Sequence, residues 1–272
     1  MESTLFSAEV TNRNRECIYE RVRKGKNFTI SVQPINRLFE LSERITEIFK
    51  QAKIEERKYL LEPEAKSVCR EYGIPTTQWK VAKNAQEAAD FSEKIGYPTV
   101  LKIISPDVIH KSDVGGVILN IKSVEEAKNA YNTIIKNVKQ HNPNAKIKGI
   151  LVQEMAPCSI EVIVGSIKDA QFGPTLMFGF GGTFVEILKD VSFRIAPITK
   201  DEAKEMITEV KAYPILQGYR GQPPADIDII EKILLDVSRL VMDYEDIKEL
   251  DLNPVMIYEK GAKTVDARII LE

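Results

Sequence analysis

The chain has 272 residues, 43% hydrophobic and 29% charged, enough to bury a sizeable core in one large or two smaller domains. A formal net charge of -2 gives no electrostatic case for a nucleic-acid or anionic-membrane partner, and no apolar run reaches the roughly 20 residues of a membrane span. Cys17, Cys69 and Cys158 form no CxxC pair and the start lacks a basic-then-apolar leader, so the expectation is a reducing, cytoplasmic setting without disulfides or structural zinc.

Residues 1–57 read as an N-terminal extension, and 58–272 as the main domain. The extension is charge-rich and mixed in period until Ile35, Leu38, Leu41, Ile45, Ile48 and Phe49 fall at helical spacing, which predicts an amphipathic helix. The pattern then turns regular. A helix is expected from Pro63 to Tyr72, with Gly73 just past its end, followed by a short strand in "QWKVA". Asn84 and Glu87 open a second helix that Gly96 ends. "PTVLKIIS" and "GGVILNIK" read as strands on either side of a polar loop that holds His110, one of only two histidines. Ser123 and Glu126 form a capping box for the next helix, whose far end carries His141, read as an exposed residue without chemistry. Three strands follow, "GILVQEM", "IEVIVGSI" and "PTLMFGF", then two helices, "TKDEAKEMITEV" and "PADIDIIEKILLDVSRLVMDY". The C-terminal segment reads as a hairpin turning at "EKGA".

Interleaved helices with antiparallel strand pairs argue for an α+β architecture, not a doubly wound sheet. There is no GxxxxGK[ST] loop, and "GFGGTF" (Gly179 to Phe184) misses the GxGxxG spacing, so a nucleotide site must be built another way. Four features point to one. Lys102 sits in an apolar strand, where a lysine is costly unless it meets an anion; an edge-strand lysine reaching solvent is the competing reading. Glu154 and Met155 close one strand and Glu161 opens the next, a place where backbone groups can meet a flat heterocycle and a carboxylate can meet ribose; a charged hairpin tip is the alternative. Gly181 and Gly182 permit close backbone approach, and Arg194 offers a fork for phosphate oxygens or a salt bridge, with Asp190 as a candidate partner. Asp251 and Asn253 share one face of a strand by the period of two, opposite Asp266. These oxygen donors suit Mg²⁺, although Asn253-Pro254 also reads as strand-end punctuation.

The order of these features carries more weight than any one of them. With "EYGIPTT", "YPTVLKIISPDVIHKSDVGGV", "VQEM", "FGPTLMFGFGGTFVEILKDVSFRIAPI" and "ELDLNPV", the chain from about Tyr59 onward resembles the ATP-grasp β subunit of ADP-forming acyl-CoA synthetases. The resemblance implies an ATP-grasp fold, two α+β subdomains with nucleotide between them, preceded by the extension. It implies the reaction of acyl-CoA, ADP and phosphate to give carboxylic acid, CoA and ATP, with an acyl phosphate and a phosphohistidine on the way. His110 matches the β-subunit histidine that relays phosphate, and a neutral imidazole is a suitable nucleophile near pH 7. Asp251 matches the carboxylate that steadies it, with Asp113 a nearer neighbour in sequence. Lys102 and Arg194 would bind phosphates, Glu154 and Met155 the adenine, Glu161 the ribose, Gly181 and Gly182 the nucleotide, and Asn253 and Asp266 the Mg²⁺. Gly115 and Gly116 would let the His110 loop adjust. An α subunit carrying CoA binding and acyl transfer is the implied partner in a hetero-oligomer. A stand-alone ATP-grasp carboxylate ligase needs no phosphohistidine, and a nucleotide-sensing subunit needs no catalysis; His110 separates both from the synthetase.

Overall fold

The computed structural model describes residues 18–24, 27–33, 35–182, 190–218, 221 and 223–272, with side chains from residue 43 onward. The contacts divide the chain into Met1–Phe49 and Lys50–Glu272.

In the first unit β1 (Ile18–Lys24) pairs antiparallel with β2 (Asn27–Gln33), and α1 (Ile35–Ile54) follows. The helix matches its apolar spacing; the hairpin was not expected. Phe28, Ile30 and Val32 alternate with Thr29, Ser31 and Gln33, a strand period that the surrounding charge obscures. Cys17 lies outside the described residues. Cys69 is buried, and burial pushes its thiol up to about 12, whereas Cys158 is exposed.

In the second unit α2 (Glu62–Glu71) begins immediately after Leu61, whose backbone N–H donates to Glu64 Oε2 at 2.7 Å. A four-stranded sheet follows, in the order β3-β6-β4-β5: β3 is Trp79–Ala82, β4 Thr99–Ile104, β5 Val117–Ile121 and β6 Gly149–Glu154. Its helices are α3 (Ala85–Ile95) and α4 (Val124–His141). Each starts where a side chain satisfies an orphan N–H, Asn84 accepting from Glu87 N and Ser123 from Glu126 N. Ala88 and Ala89 of α3 and Ala127, Ile134 and Val138 of α4 form a core with Leu101, Ile103 and Ile150 of the sheet. At about 25 cal/mol per Å² of apolar surface, that burial is the main force holding this layer together.

The second layer is a six-stranded sheet in which β10 (Ile247–Ile257) pairs with β7 (Ile160–Asp169), then β8 (Gly173–Phe180) and β9 (Val191–Ile195); β11 (Ala262–Thr264) and β12 (Ala267–Leu271) flank β10 on its other edge. All the registered strand pairs are antiparallel, as an α+β architecture requires. Its helices are α5 (Lys200–Glu209), the one-turn α6 (Tyr213–Leu216) and α7 (Ile227–Asp243). Ile230, Ile233, Leu234, Val237 and Leu240 bury the apolar stripe of α7, and Asp226 caps it through Ile229 N. The terminal hairpin turns between Ile257 and Ala262, as its sequence indicates.

Asn253-Pro254 does not end a strand. It lies inside β10 where the register against β7 shifts between Leu252 and Val255: proline has no N–H to give the ladder, and the strand bulges instead of stopping. Among the described residues no helix is long and apolar enough to cross a membrane.

Candidate active site

A cleft of about 230 Å³ opens between the two layers, lined by Glu62, Ser105, Ile109, Lys111, Asp251, Asn253, Asp266 and Arg268 among others. It draws on the start of α2, the end of β4 with the loop after it, and the β10 and β12 ends of the C-terminal hairpin. At its base lies an ionic cluster. Lys102 Nζ donates to Glu62 Oε1 at 2.8 Å, to Asp266 Oδ2 at 3.2 Å and to the Val265 carbonyl at 3.3 Å. Lys111, next to His110, donates to Glu62 Oε2 and lies 3.7 Å from Asp266. Lys66, wholly enclosed at 0% side-chain exposure, stands 3.3 Å from Glu62 and donates to Gln153 Oε1 at 2.5 Å and Thr77 Oγ1 at 2.8 Å.

The titration of these groups follows from their surroundings. Burial works to raise the Glu62 carboxyl, but Lys102, Lys66 and Lys111 outweigh it and hold the group down to about 2. Burial likewise opposes the Lys102 charge, and Glu62 and Asp266 overcome it, keeping the ammonium above its ordinary range. At Lys66 burial wins over Glu62, bringing it down to about 8. Asp251 is raised, first by burial and then by Asp266, with Arg268 opposing. The Asp251 and Asp266 carboxylates and the Asn253 amide, all lining the cleft, are oxygen donors of the kind Mg²⁺ takes. Among the described residues no group of three or more His, Cys, Asp or Glu side chains could hold a metal.

The polar loop carries His110 at an exposed position, preceded by exposed Ile109. Among the described residues, Asp251 and Asp113 included, His110 makes no hydrogen bond or ion pair. The glycines after it are tightly seated. Gly116 N donates to the Lys111 carbonyl at 2.7 Å, and Ile103 N donates to the Gly116 carbonyl at 2.8 Å. A Cβ on Gly116 would lie 2.6 Å from Ile103 Cγ2 and 2.8 Å from Lys111 O, and Gly115 has φ +63°. The pair therefore has a steric reason to be glycine.

The other candidate residues form separate groups. Glu154 ends β6 with its carboxylate on Gln78 N at 2.7 Å and Lys263 Nζ at 2.5 Å, and Met155 N donates to the Pro98 carbonyl at 3.1 Å. Glu161 stands against the Gly181-Gly182 turn: Gly181 N donates to its carbonyl at 2.7 Å, and a Cβ on Gly181 would come 3.0 Å from Glu161 Cβ. Residues 183–189, including Phe184 of the glycine-rich segment, lie outside the described residues. Arg194 pairs with Glu209 and with Glu205 at 3.3 Å, not with Asp190, whose carboxylate instead accepts from the N–H groups of Lys211 and Ala212. Asp190 is turned to the start of α6, and the acids of α5 are within reach of the arginine fork. His141 ends α4, exposed, with Nδ1 2.9 Å from the Asn137 carbonyl.

The sequence reading passes over Glu62, Lys66 and Lys111. An acid in the first turn of a helix reads as a helix-dipole partner, and Lys66 reads as its i,i+4 surface mate. The lysine following His110 was the available signal.

Residues 51–271 match the model of a family described as an ATP-grasp domain. The chain is 54% identical over 225 residues to the β subunit of acetate–CoA ligase (ADP-forming) I of Pyrococcus furiosus, covering 83% of this chain and 97% of that one. Among solved structures, a Ca. Korarchaeum cryptofilum dinucleotide-forming acetyl-coenzyme A synthetase 1, in complex with coenzyme A, Ca-AMPCP and HgCl+, superimposes with a TM-score of 0.81 at 54% identity, covering 83% of this chain and 99% of that one. The same synthetase with coenzyme A and Mg-AMPPCP, its phosphohistidine segment pointing towards the nucleotide binding site, gives a TM-score of 0.75 at 50% identity, covering 84% and 100%.

Proposed function

Because the chain belongs to the ATP-grasp family of ADP-forming acetate–CoA ligase β subunits, we propose that it is the nucleotide-binding subunit of an ADP-forming acyl-CoA synthetase. The reaction converts acyl-CoA, ADP and phosphate to carboxylic acid, CoA and ATP. ATP and ADP are its substrates here, Mg²⁺ its metal, and an α subunit carrying the CoA and acyl chemistry its partner, in a cytoplasmic hetero-oligomer.

His110 takes the phosphoryl group on an imidazole nitrogen and passes it to ADP. The transfer is mostly a matter of placement and charge, since little covalent work falls to the protein. Lys111 lines the cleft, and Lys102 would reach phosphate by giving up one of its three protein acceptors. Asp251, Asn253 and Asp266 would hold Mg²⁺, which would supply positive charge to offset that of the phosphates. Asp251 would steady the cationic ring of the phosphorylated His110. Glu154 and Met155 form the adenine end, and Glu161 the ribose end beside Gly181 and Gly182. Arg194 reaches phosphate by exchanging Glu205 and Glu209 for it.

The observation that carries this reading is the lysine and carboxylate cluster at the cleft beside the His110 loop. The test is ATP formation from acyl-CoA, ADP and phosphate by the chain with its α partner, wild type against His110→Ala. The expected result is loss of ATP formation with the fold intact, and wild-type phosphate on His110 that is acid-labile and base-stable. Full activity in His110→Ala overturns the relay; a complete reaction that passes acyl groups to an amine supports the stand-alone ligase instead.

A further inference from the structure

We propose that Glu62 is a positioning residue that sets Lys102 and Lys111 side by side, and that Lys111 is a phosphate contact beside His110. The inference deepens the functional reading above and rests on it.

Glu62 opens α2 with its side chain only 3% exposed and serves three lysines. Its two oxygens face different cations: Oε1 takes Lys102 at 2.8 Å and Oε2 takes Lys111. Lys66 supports it from behind at 3.3 Å, itself fixed to β6 through Gln153 and to Thr77. Glu62 therefore links α2, β4 and the His110 loop through one carboxylate, and the start of a helix favours the negative charge there.

The lysines differ in what they have left to give. An ammonium has three donors. Lys102 uses them on Glu62, Asp266 and the Val265 carbonyl. Lys66 is enclosed. Lys111 spends one hydrogen bond on Glu62 and stands 3.7 Å from Asp266, beyond hydrogen-bond reach; it is 21% exposed at the cleft wall and adjoins His110 in the chain. Its remaining donors face the cleft, so a phosphate on or near His110 meets Lys111 first. Without the Glu62 carboxylate the two lysines repel each other, Asp266 and the Val265 carbonyl keep Lys102, and Lys111 loses its hydrogen-bonded anchor.

The experiment uses the full chain with its α partner and measures ATP and adenosine affinities by calorimetry, together with phosphate incorporated at His110. The variants are Glu62→Gln, Lys111→Met and the double variant Glu62→Gln/Lys66→Met, which removes the buried cation that Glu62→Gln leaves without its counter-ion. Expected is a tenfold or greater loss of ATP affinity in all three, adenosine affinity within twofold of wild type, and recovered thermal stability in the double variant without recovered ATP affinity. Unchanged ATP affinity in Glu62→Gln and Lys111→Met, parallel loss of adenosine, or ATP affinity restored along with stability in the double variant overturns the positioning role. A wild type that binds adenosine and ATP equally overturns the phosphate reading of the cleft, and this inference with it.

Discussion

Replacing Gly116 with alanine tests the steric account of the His110 loop. The added Cβ would stand 2.6 Å from Ile103 Cγ2 and 2.8 Å from the Lys111 carbonyl oxygen, both inside the distance at which something must move. Neither neighbour gives easily. Ile103 is a buried β-branched residue in the core of the four-stranded sheet, and the carbonyl is backbone held by Gly116 N at 2.7 Å. Overpacking of this kind costs about 1–3 kcal/mol. For a unit of this size about 2 kcal/mol corresponds to roughly 4–8 °C of melting temperature. The displaced carbonyl belongs to Lys111, so the shift reaches His110 as well, and phosphate incorporation at His110 falls at least tenfold. Gly115→Ala is the comparison. Its φ of +63° costs a side chain about 1–2 kcal/mol, but the Cβ would meet the Asn137 amide, a side-chain tip that can swing away. It lowers stability with a smaller effect on the relay. Calorimetric melting and phosphohistidine assays on both variants check this. A Gly116→Ala protein that melts within a degree of wild type and phosphorylates normally would falsify the steric argument and return the glycines to a role in loop mobility.

Acid titration reads Glu62 directly. Its carboxyl is held well below the ordinary 4.5, so its stabilisation is complete above the ordinary value and is lost as pH falls toward 2. Urea unfolding from pH 6 to pH 2.5 should bring the wild-type and Glu62→Gln curves together at the acid end, and a constant gap would contradict this. Lys66 is lowered too, but by burial acting against its own charge. Burial lowers it to about 8, so stability gains as pH rises from there toward its ordinary 10.5, a gain that Lys66→Met removes in the same assay at alkaline pH. Asp266→Asn leaves Lys102 with Glu62 and weakens Mg²⁺-dependent ATP binding at least tenfold while sparing adenosine; equal Mg²⁺ dependence in variant and wild type would remove Asp266 from the metal set. The isolated chain should bind nucleotide without converting acyl-CoA, and turnover by the chain alone would refute the need for an α partner.

The sequence by itself determined most elements of the main domain, though not the β1–β2 hairpin that precedes it. Asn84, Ser123, Thr199 and Asp226 mark helix starts because a side-chain oxygen and an orphan N–H lie within three residues of each other. Alternation and turn residues place the strands, and the spacing from Lys102 through His110 to Asp266 makes the family resemblance visible. These signals are local, so they survive in the linear string. Where a residue's meaning depends on what meets it, the string says little. Glu62 lies 40 positions from Lys102 and 49 from Lys111, and Asp266 lies 164 from Lys102. Only the packing of α2, β4 and the C-terminal hairpin turns them into one ionic cluster. The same holds for Arg194, whose partners sit one helix away on α5, and for Asn253-Pro254, which the neighbouring strands carry through as a bulge. Tertiary structure decided these points because the energy of a buried charge is set by which opposite charges share its low-dielectric surroundings, and long-range folding chooses them.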